Sequence, residues 1–275
     1  MPEGDTLARI AAGLRPHLAG RVVTAARARL PGPRVERVVG ATITEVLAAG
    51  KNLLIRLDNG LELRTHLRMR GTWHRYRPGE PWRRASGRAV LVLEVPGTVA
   101  VCFDAPVVEL FETRAEAIHP SLGRLGPDLL DAAFAAEEAR RRLRDPSRAA
   151  TEIGVALLDQ RALAGIGNVV KSETLFIESL DPFARVADLD DATLDRLVTT
   201  ARRILVESAA RRRGPERVTT RDPVTHRPLA PGPLWVYRRA GRPCRRCGTL
   251  IRSVAQGTDL PRTTYWCPAC QNSDR

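Results

Sequence analysis

Leu53-Leu54-Ile55-Arg56-Leu57-Asp58-Asn59-Gly60-Leu61-Glu62-Leu63-Arg64-Thr65-His66-Leu67 is two short β-rich runs joined at an Asn-Gly turn. Asn and Gly tolerate the positive φ of tight turns, so this stretch predicts a hairpin of antiparallel strands. Further β-rich runs lie outward at 42–47, 90–95 and 99–103, with Pro96-Gly97 between the last two. A series of short strands between about Val22 and Leu110 predicts a sandwich or barrel. Upstream, Leu7, Ile10, Leu14 and Leu18 recur at helical spacing until Gly20, which predicts an amphipathic helix flanking the strands. After Pro120 helical patterns take over, at 128–135, 134–143, 153–160, 169–177 and 191–212. Residues 114–126 read as a linker, and 213–233, rich in Pro, Gly and charge, as a connector or active-site loop.

The chain has 275 residues, 43% of them hydrophobic, which is enough for two or three compact modules. It carries 44 Lys plus Arg against 31 Asp plus Glu, a formal net charge of +13. That balance favours a polyanionic partner, nucleic acid first. A genome that favours Arg codons would give the same balance, for only Lys51 and Lys171 are lysines. A Lys kept where Arg is otherwise used points to a need for a compact ammonium. No apolar run approaches the roughly 20 residues that span a bilayer, and no signal segment opens the chain, so a cytosolic location is expected.

Of 5 cysteines, Cys102 stands alone in the apolar run Ala100-Val101-Cys102-Phe103 and is expected to be a buried structural thiol. Cys244-Arg245-Arg246-Cys247 and Cys267-Pro268-Ala269-Cys270, with 19 residues between the pairs, have the spacing of a four-thiolate zinc site. Four thiolates leave no open position for water, so a structural ion is expected; a redox dithiol would not explain two matched pairs. The intervening length suits a β-hairpin, with Arg252 and Arg262 flanking its tip.

Three other stretches carry chemistry. Pro2-Glu3, exposed as an N-terminus once Met1 is removed, would place a secondary amine beside a carboxylate, a pairing able to form an iminium with an aldehyde-like carbon. The same residues suit the first turn of a helix, and on their own they favour that reading. Gly165-Ile166-Gly167-Asn168 joins two helical patterns, where close backbone approach and first-turn N–H groups suit an anion; an ordinary helix turn fits as well. Arg68-Met69-Arg70 is either a wedge that grips a duplex and enters its base stack, or a hairpin end with solvated arginines and a half-buried Met.

Together, Met1-Pro2-Glu3-Gly4-Asp5, Gly50-Lys51-Asn52-Leu53-Leu54, residues 66–71, Leu158-Asp159-Gln160 with Gly165-Ile166-Gly167-Asn168, and the paired-cysteine tail resemble, in this order, the bacterial endonuclease VIII branch of the formamidopyrimidine-DNA glycosylase superfamily, actinobacterial forms especially. The resemblance spans the chain. It implies a multidomain α+β fold: an N-terminal catalytic β-sandwich with a flanking helix (1–116), a helix-two-turn-helix DNA-binding domain (117–218), and a connector loop with a four-cysteine zinc-finger hairpin (219–275). It implies a bifunctional glycosylase and apurinic/apyrimidinic (AP) lyase of base excision repair. Pro2 would form the Schiff base, Glu3 would be the general acid, and Lys51 would assist at the lesion phosphate. Asn168 and Arg262 would clamp phosphates, while Arg68, Met69 and Arg70 would fill the vacated stack. One structural zinc on Cys244, Cys247, Cys267 and Cys270, no organic cofactor, a monomeric state, duplex DNA with oxidised bases or abasic sites as partner, and a cytoplasmic, nucleoid-associated location are expected. Oxidised pyrimidines are the expected substrates. The alternatives are a purine-directed enzyme acting on 8-oxoguanine or formamidopyrimidine, and a non-catalytic DNA-binding member. Two departures from the family pattern stand out: Thr6 occupies a position that is acidic in many relatives, and the 68–70 loop differs from the Gln-Leu-Tyr type.

Overall fold

The computed structural model describes residues 2–29, 31–211, 217–222, 224–225, 227–258 and 260–273. Met1 and, of the expected connector, residues 213–216, 223 and 226 lie outside these. The chain divides into two compact units, Met1–Arg124 and Leu125–Arg275.

The first unit opens with helix α1 (Gly4–Leu18), whose Leu7, Ala11, Leu14 and Leu18 form a buried stripe at i, i+4, i+7, i+11 spacing. Each such leucine contributes about 1.5–3 kcal/mol by leaving water. The strands follow as β1 (Ala25–Ala28), β2 (Ile43–Ala49), β3 (Asn52–Leu57), β4 (Leu61–His66), β5 (Thr72–Tyr76), β6 (Ala89–Val95), β7 (Thr98–Phe103) and β8 (Val107–Glu112). They form two four-stranded sheets, ordered β1-β6-β7-β5 and β2-β3-β4-β8. Val46, Leu53, Ile55 and Leu63 of one sheet and Leu91, Leu93, Ala100 and Cys102 of the other share one buried cluster with the α1 stripe. The architecture is therefore a sandwich with a flanking helix. The first sheet is covered on its outer face too, where Tyr76, Val92, Val101 and Phe103 pack with Trp82. Burial on both faces explains why β7 reads as a continuous apolar run. Cys102 is 0% exposed, and burial pushes its thiol far above the ordinary range.

The Asn-Gly hairpin forms as its sequence predicts, with Arg56 opposite Glu62 and Asn52 opposite His66. The stretch after β4 does not. β4 pairs with β8 and β5 with β7, so residues 67–71 cross from one sheet to the other and are not a hairpin end.

The second unit holds helices α2 (Ala136–Leu143), α3 (Ile153–Ala156), α4 (Asn168–Ile177) and α5 (Asp191–Ala210), then the hairpin of β9 (Arg252–Gln256) and β10 (Arg262–Trp266). Leu143, Leu157, Leu163, Ile166, Val170, Leu197 and Leu205 meet in its helical core. The expected helix at 128–135 is absent: the Asp128 and Asp131 carboxylates accept the Leu130 and Ala133 N–H groups, each two residues on, and this local bonding competes with a helix. The helix expected at 153–160 stops at Ala156, where i→i−3 bonds from Leu158 and Asp159 replace the helical pattern. α5 starts where Asp190 Oδ1 accepts Thr193 N–H at 2.7 Å. Among the described residues no helix is long and apolar enough to cross a membrane.

Candidate functional site

Glu3 is the N-cap of α1; its carbonyl accepts Thr6 and Leu7 N–H at 3.0 and 3.2 Å, and its own N–H donates to Thr6 Oγ1 at 3.4 Å. Thr6 thus serves the helix start, accepting the N-cap N–H as the N3 residue of a capping box. A helix start does not require its acids to be buried, yet Glu3 and Asp5 are both 0% exposed. Removing carboxylates from water is costly unless they are bonded, and Asp5 Oδ1 accepts Thr6 N–H at 2.8 Å. Gly20 N–H bonds Ile43 O at 2.8 Å and Arg15 Nε bonds Val46 O at 2.9 Å. Moving back along the helix therefore moves forward along β2, and this antiparallel course carries Pro2 and Glu3 toward the β2–β3 turn.

That turn is the two-residue loop Gly50-Lys51 between the paired residues Ala49 and Asn52. Gly50 has φ of 56° at the first loop position, a conformation that costs glycine nothing. Lys51 is half-buried there. Its charge reaches His66, the cross-strand partner of Asn52. Burial first, then the charges of Arg64, Arg68 and Lys51, hold the His66 imidazole at a pKa of about 4. Neutral His66 accepts Arg68 N–H on Nδ1 at 3.1 Å, which leaves its other nitrogen protonated as a donor. The strand pattern did not single out His66 as a partner of Lys51; the β3–β4 register is what brings them together.

Arg68, Met69 and Arg70 are all exposed on the crossover between the sheets. Met69 is 58% exposed, not half-buried, with an arginine on each side. Gly71 closes the segment: its N–H bonds Leu67 O at 2.9 Å, and a Cβ there would lie 2.7 Å from Leu67 Cα and O.

In the second unit Gly167 is the N-cap of α4, and Gln160 ties the preceding turn by accepting Gly165 N–H at 3.1 Å and donating to Ile166 O at 3.1 Å. Asn168 Nδ2 donates to Thr263 O of β10 at 2.7 Å, while its buried Oδ1 has no hydrogen-bond partner among the described residues. Lys171 lies one turn on, 0% exposed, with Nζ 2.7 Å from Thr264 Oγ1. The second lysine therefore has a structural task, joining α4 to the hairpin. Arg262 is exposed at the start of β10 opposite Gln256. Arg252, expected beside it at the tip, instead pairs with Trp266 at the opposite end of the ladder. Sequence reading missed Glu173. Its buried carboxylate accepts the N–H groups of Trp235, Val236 and Tyr237 at 2.8, 2.9 and 2.8 Å and the Thr219 hydroxyl, pinning the segment after α5 to α4.

The Sγ atoms of Cys244, Cys247, Cys267 and Cys270 all lie within 4.8 Å of one another. Cys244 to Cys270 is 3.9 Å and Cys247 to Cys267 is 3.4 Å, bracketing the roughly 3.8 Å between sulfurs of a tetrahedron with 2.3 Å zinc–sulfur bonds. Arg246 N–H points at Cys244 Sγ and Cys270 N–H at Cys267 Sγ. The four side chains fit zinc.

The sandwich, the helical unit and the thiolate hairpin together define the class. Residues 1–106 match the formamidopyrimidine-DNA glycosylase N-terminal domain, residues 125–220 its H2TH domain, and residues 241–272 the zinc finger found in FPG and IleRS. The chain belongs to the formamidopyrimidine-DNA glycosylase family. It is 41% identical over 274 residues to the probable endonuclease 8 2 of Streptomyces coelicolor, covering 98% of this chain and 94% of that protein. To the DNA-(apurinic or apyrimidinic site) lyase Nei2 of Mycolicibacterium smegmatis it is 39% identical, covering 99% and 100%. Endonuclease 8 of Escherichia coli is 31% identical, with 99% and 100% covered. A solved structure of Lactococcus lactis Fpg with DNA containing N7-benzyl-Fapy-dG superposes with a TM-score of 0.78 at 22% identity, over 98% of this chain and 99% of that one, a likeness of fold.

Proposed function

We propose that this chain is a bifunctional DNA glycosylase and AP lyase of base excision repair that removes oxidised bases, pyrimidines in preference, from duplex DNA. The observation that carries the reading is the fully buried Glu3 next to Pro2, at the end of α1 that runs toward the Lys51 turn. Full-length similarity to proteins named endonuclease 8 and AP lyase supports it.

Removal of Met1 frees the Pro2 amine. With the damaged nucleotide flipped out of the duplex, the Pro2 nitrogen bonds C1′ as the glycosidic bond breaks, and the proton the amine sheds goes to the departing base. Glu3 gives its proton to the ring oxygen as the sugar opens, leaving an iminium between Pro2 and C1′. The iminium acidifies the C2′ proton; its loss expels the 3′ phosphate, and a second elimination expels the 5′ phosphate. Lys51 holds the phosphate at the lesion and neutral His66 offers a hydrogen bond beside it. Asn168 and Arg262 clamp the backbone, and Met69 enters the gap between Arg68 and Arg70. One zinc ion on Cys244, Cys247, Cys267 and Cys270 stabilises the hairpin that presents Arg262, and no organic cofactor takes part. The working unit is a monomer of three parts, 1–116, 117–218 and 219–275, acting in the cytoplasm at the nucleoid.

Borohydride trapping tests the enzyme reading: protein with a free Pro2 is expected to form a covalent adduct with abasic duplex DNA. No adduct would leave a non-catalytic DNA-binding protein. Excision from 5-hydroxyuracil, thymine glycol and 8-oxoguanine duplexes tests the preference, and faster release of 8-oxoguanine would overturn it.

A further inference from the structure

The Lys51 loop is tied at its neck by a directed chain of side-chain hydrogen bonds. Ser121 and Leu122 N–H donate to His119 Nδ1 at 3.1 and 3.3 Å, which fixes the ring proton on Nε2, 3.2 Å from Glu109 Oε2. Glu109 also accepts from Arg64 Nη1. Arg64 Nε donates to Asn52 Oδ1 at 2.9 Å, and Asn52 Nδ2 donates to Ala49 O at 2.9 Å. Ala49 and Asn52 are the two residues that flank Gly50-Lys51. Arg64 is 5% exposed and Asn52 4%.

A two-residue hairpin needs none of this, because its backbone ladder and a glycine at positive φ suffice to close it. Burying a guanidinium and a carboxamide to brace the neck is costly unless each bond is made. Here each bond has a fixed direction, and the chain ends at the one loop that carries Lys51. The bracing holds the Ala49 carbonyl, limits rotation of the two loop peptides, and so restricts where the Lys51 ammonium can reach.

We infer that Asn52, held by Arg64 and Glu109, is a positioning residue that aims Lys51 in the reaction proposed above, on which this inference rests. Asn52→Asp is the discriminating change. It keeps an oxygen to accept from Arg64, so the buried guanidinium stays paired, but it loses the donor to Ala49 O and releases the neck. Asn52→Asp is expected to melt a few degrees below the parent yet stay folded at the assay temperature, bind abasic-site DNA within about twofold, and cleave it in single-turnover assays on the order of tenfold more slowly, the scale of a small misplacement. The same change made in Lys51→Ala is expected to add no further loss, because a residue that acts only through Lys51 has nothing left to position. An unchanged cleavage rate in Asn52→Asp overturns the inference. An equal added loss in both backgrounds also overturns it, while leaving Lys51 in its role. If Lys51→Ala itself cleaves at the parent rate, the assignment of Lys51 fails and the inference fails with it.

Discussion

Removing the acceptor at Glu173 should unfasten a whole segment of the second unit. Its Oε1 takes the Val236 and Tyr237 N–H groups, and its Oε2 takes Trp235 N–H and the Thr219 hydroxyl. Glu173→Gln preserves nearly all the volume but offers one oxygen, and turns an NH2 toward the remaining donors. At least one backbone N–H is then stranded, charge assistance is lost at the others, and the change costs about 3–5 kcal/mol at about 1–3 kcal/mol per stranded or weakened donor. At about 2–4 °C per kcal/mol for a unit of this size, that is a fall of roughly 10 °C in its melting midpoint. Trp235, which stacks on Phe176 at 5.3 Å and donates Nε1–H to Thr219 O, should lose its fixed environment. Differential scanning calorimetry of the full chain, with limited proteolysis mapped by mass, measures both effects. The expected result is a lower transition for the second unit and new cleavage between α5 and Trp235. A midpoint within about 2 °C of the parent, worth less than about 1 kcal/mol, would refute the reasoning.

Cys244→Ser should abolish zinc binding and weaken DNA binding while the sandwich stays folded; unchanged metal content by elemental analysis would exclude the four-thiolate site. Glu3→Gln should suppress base excision far more than cleavage at a preformed abasic site, whose sugar reaches the open-chain aldehyde without an acid from the protein; equal losses in both assays would remove Glu3 from its role. His66 titrates at about 4 in the fold against 6.5 for the free side chain, so the unfolded chain takes up the proton first. Its contribution is fully present above pH 6.5 and is lost as pH falls toward about 4; His66→Gln should flatten this part of the stability profile, and an unaltered slope would show the ring is not held neutral.

The elements readable in the chain were those whose cues are local. The Asn59-Gly60 hairpin, the Leu7 to Leu18 stripe and the paired cysteines each declare themselves within a few residues. Strand β1, Ala25-Ala26-Arg27-Ala28, has no apolar alternation and exists because β6 pairs with it. Asp128 and Asp131 sit in an apolar pattern that suits a helix, but their carboxylates bond the backbone two residues on. Lys171 looked like a retained functional lysine because its partner, Thr264, is 93 residues away. The brace behind Lys51 was invisible for the same reason: Asn52, Arg64, Glu109 and His119 meet only once the β3-β4-β8 register is set.

The crossover at 67–71 separates what mutation can alter from what it cannot. Its two ends are committed to different sheets, β4 paired with β8 and β5 with β7, so the strand registers on either side are held by their own partners. Gly71 has no room for a side chain against Leu67. The exposed tip, by contrast, meets no such limit at Met69 and Arg70, whereas Arg68 has φ of 46°, which disfavours β-branched replacements there. In the reaction proposed above, exchanging side chains at Met69 or Arg70 would therefore change what meets the lesion, leaving the scaffold that carries Pro2, Glu3 and Lys51 untouched.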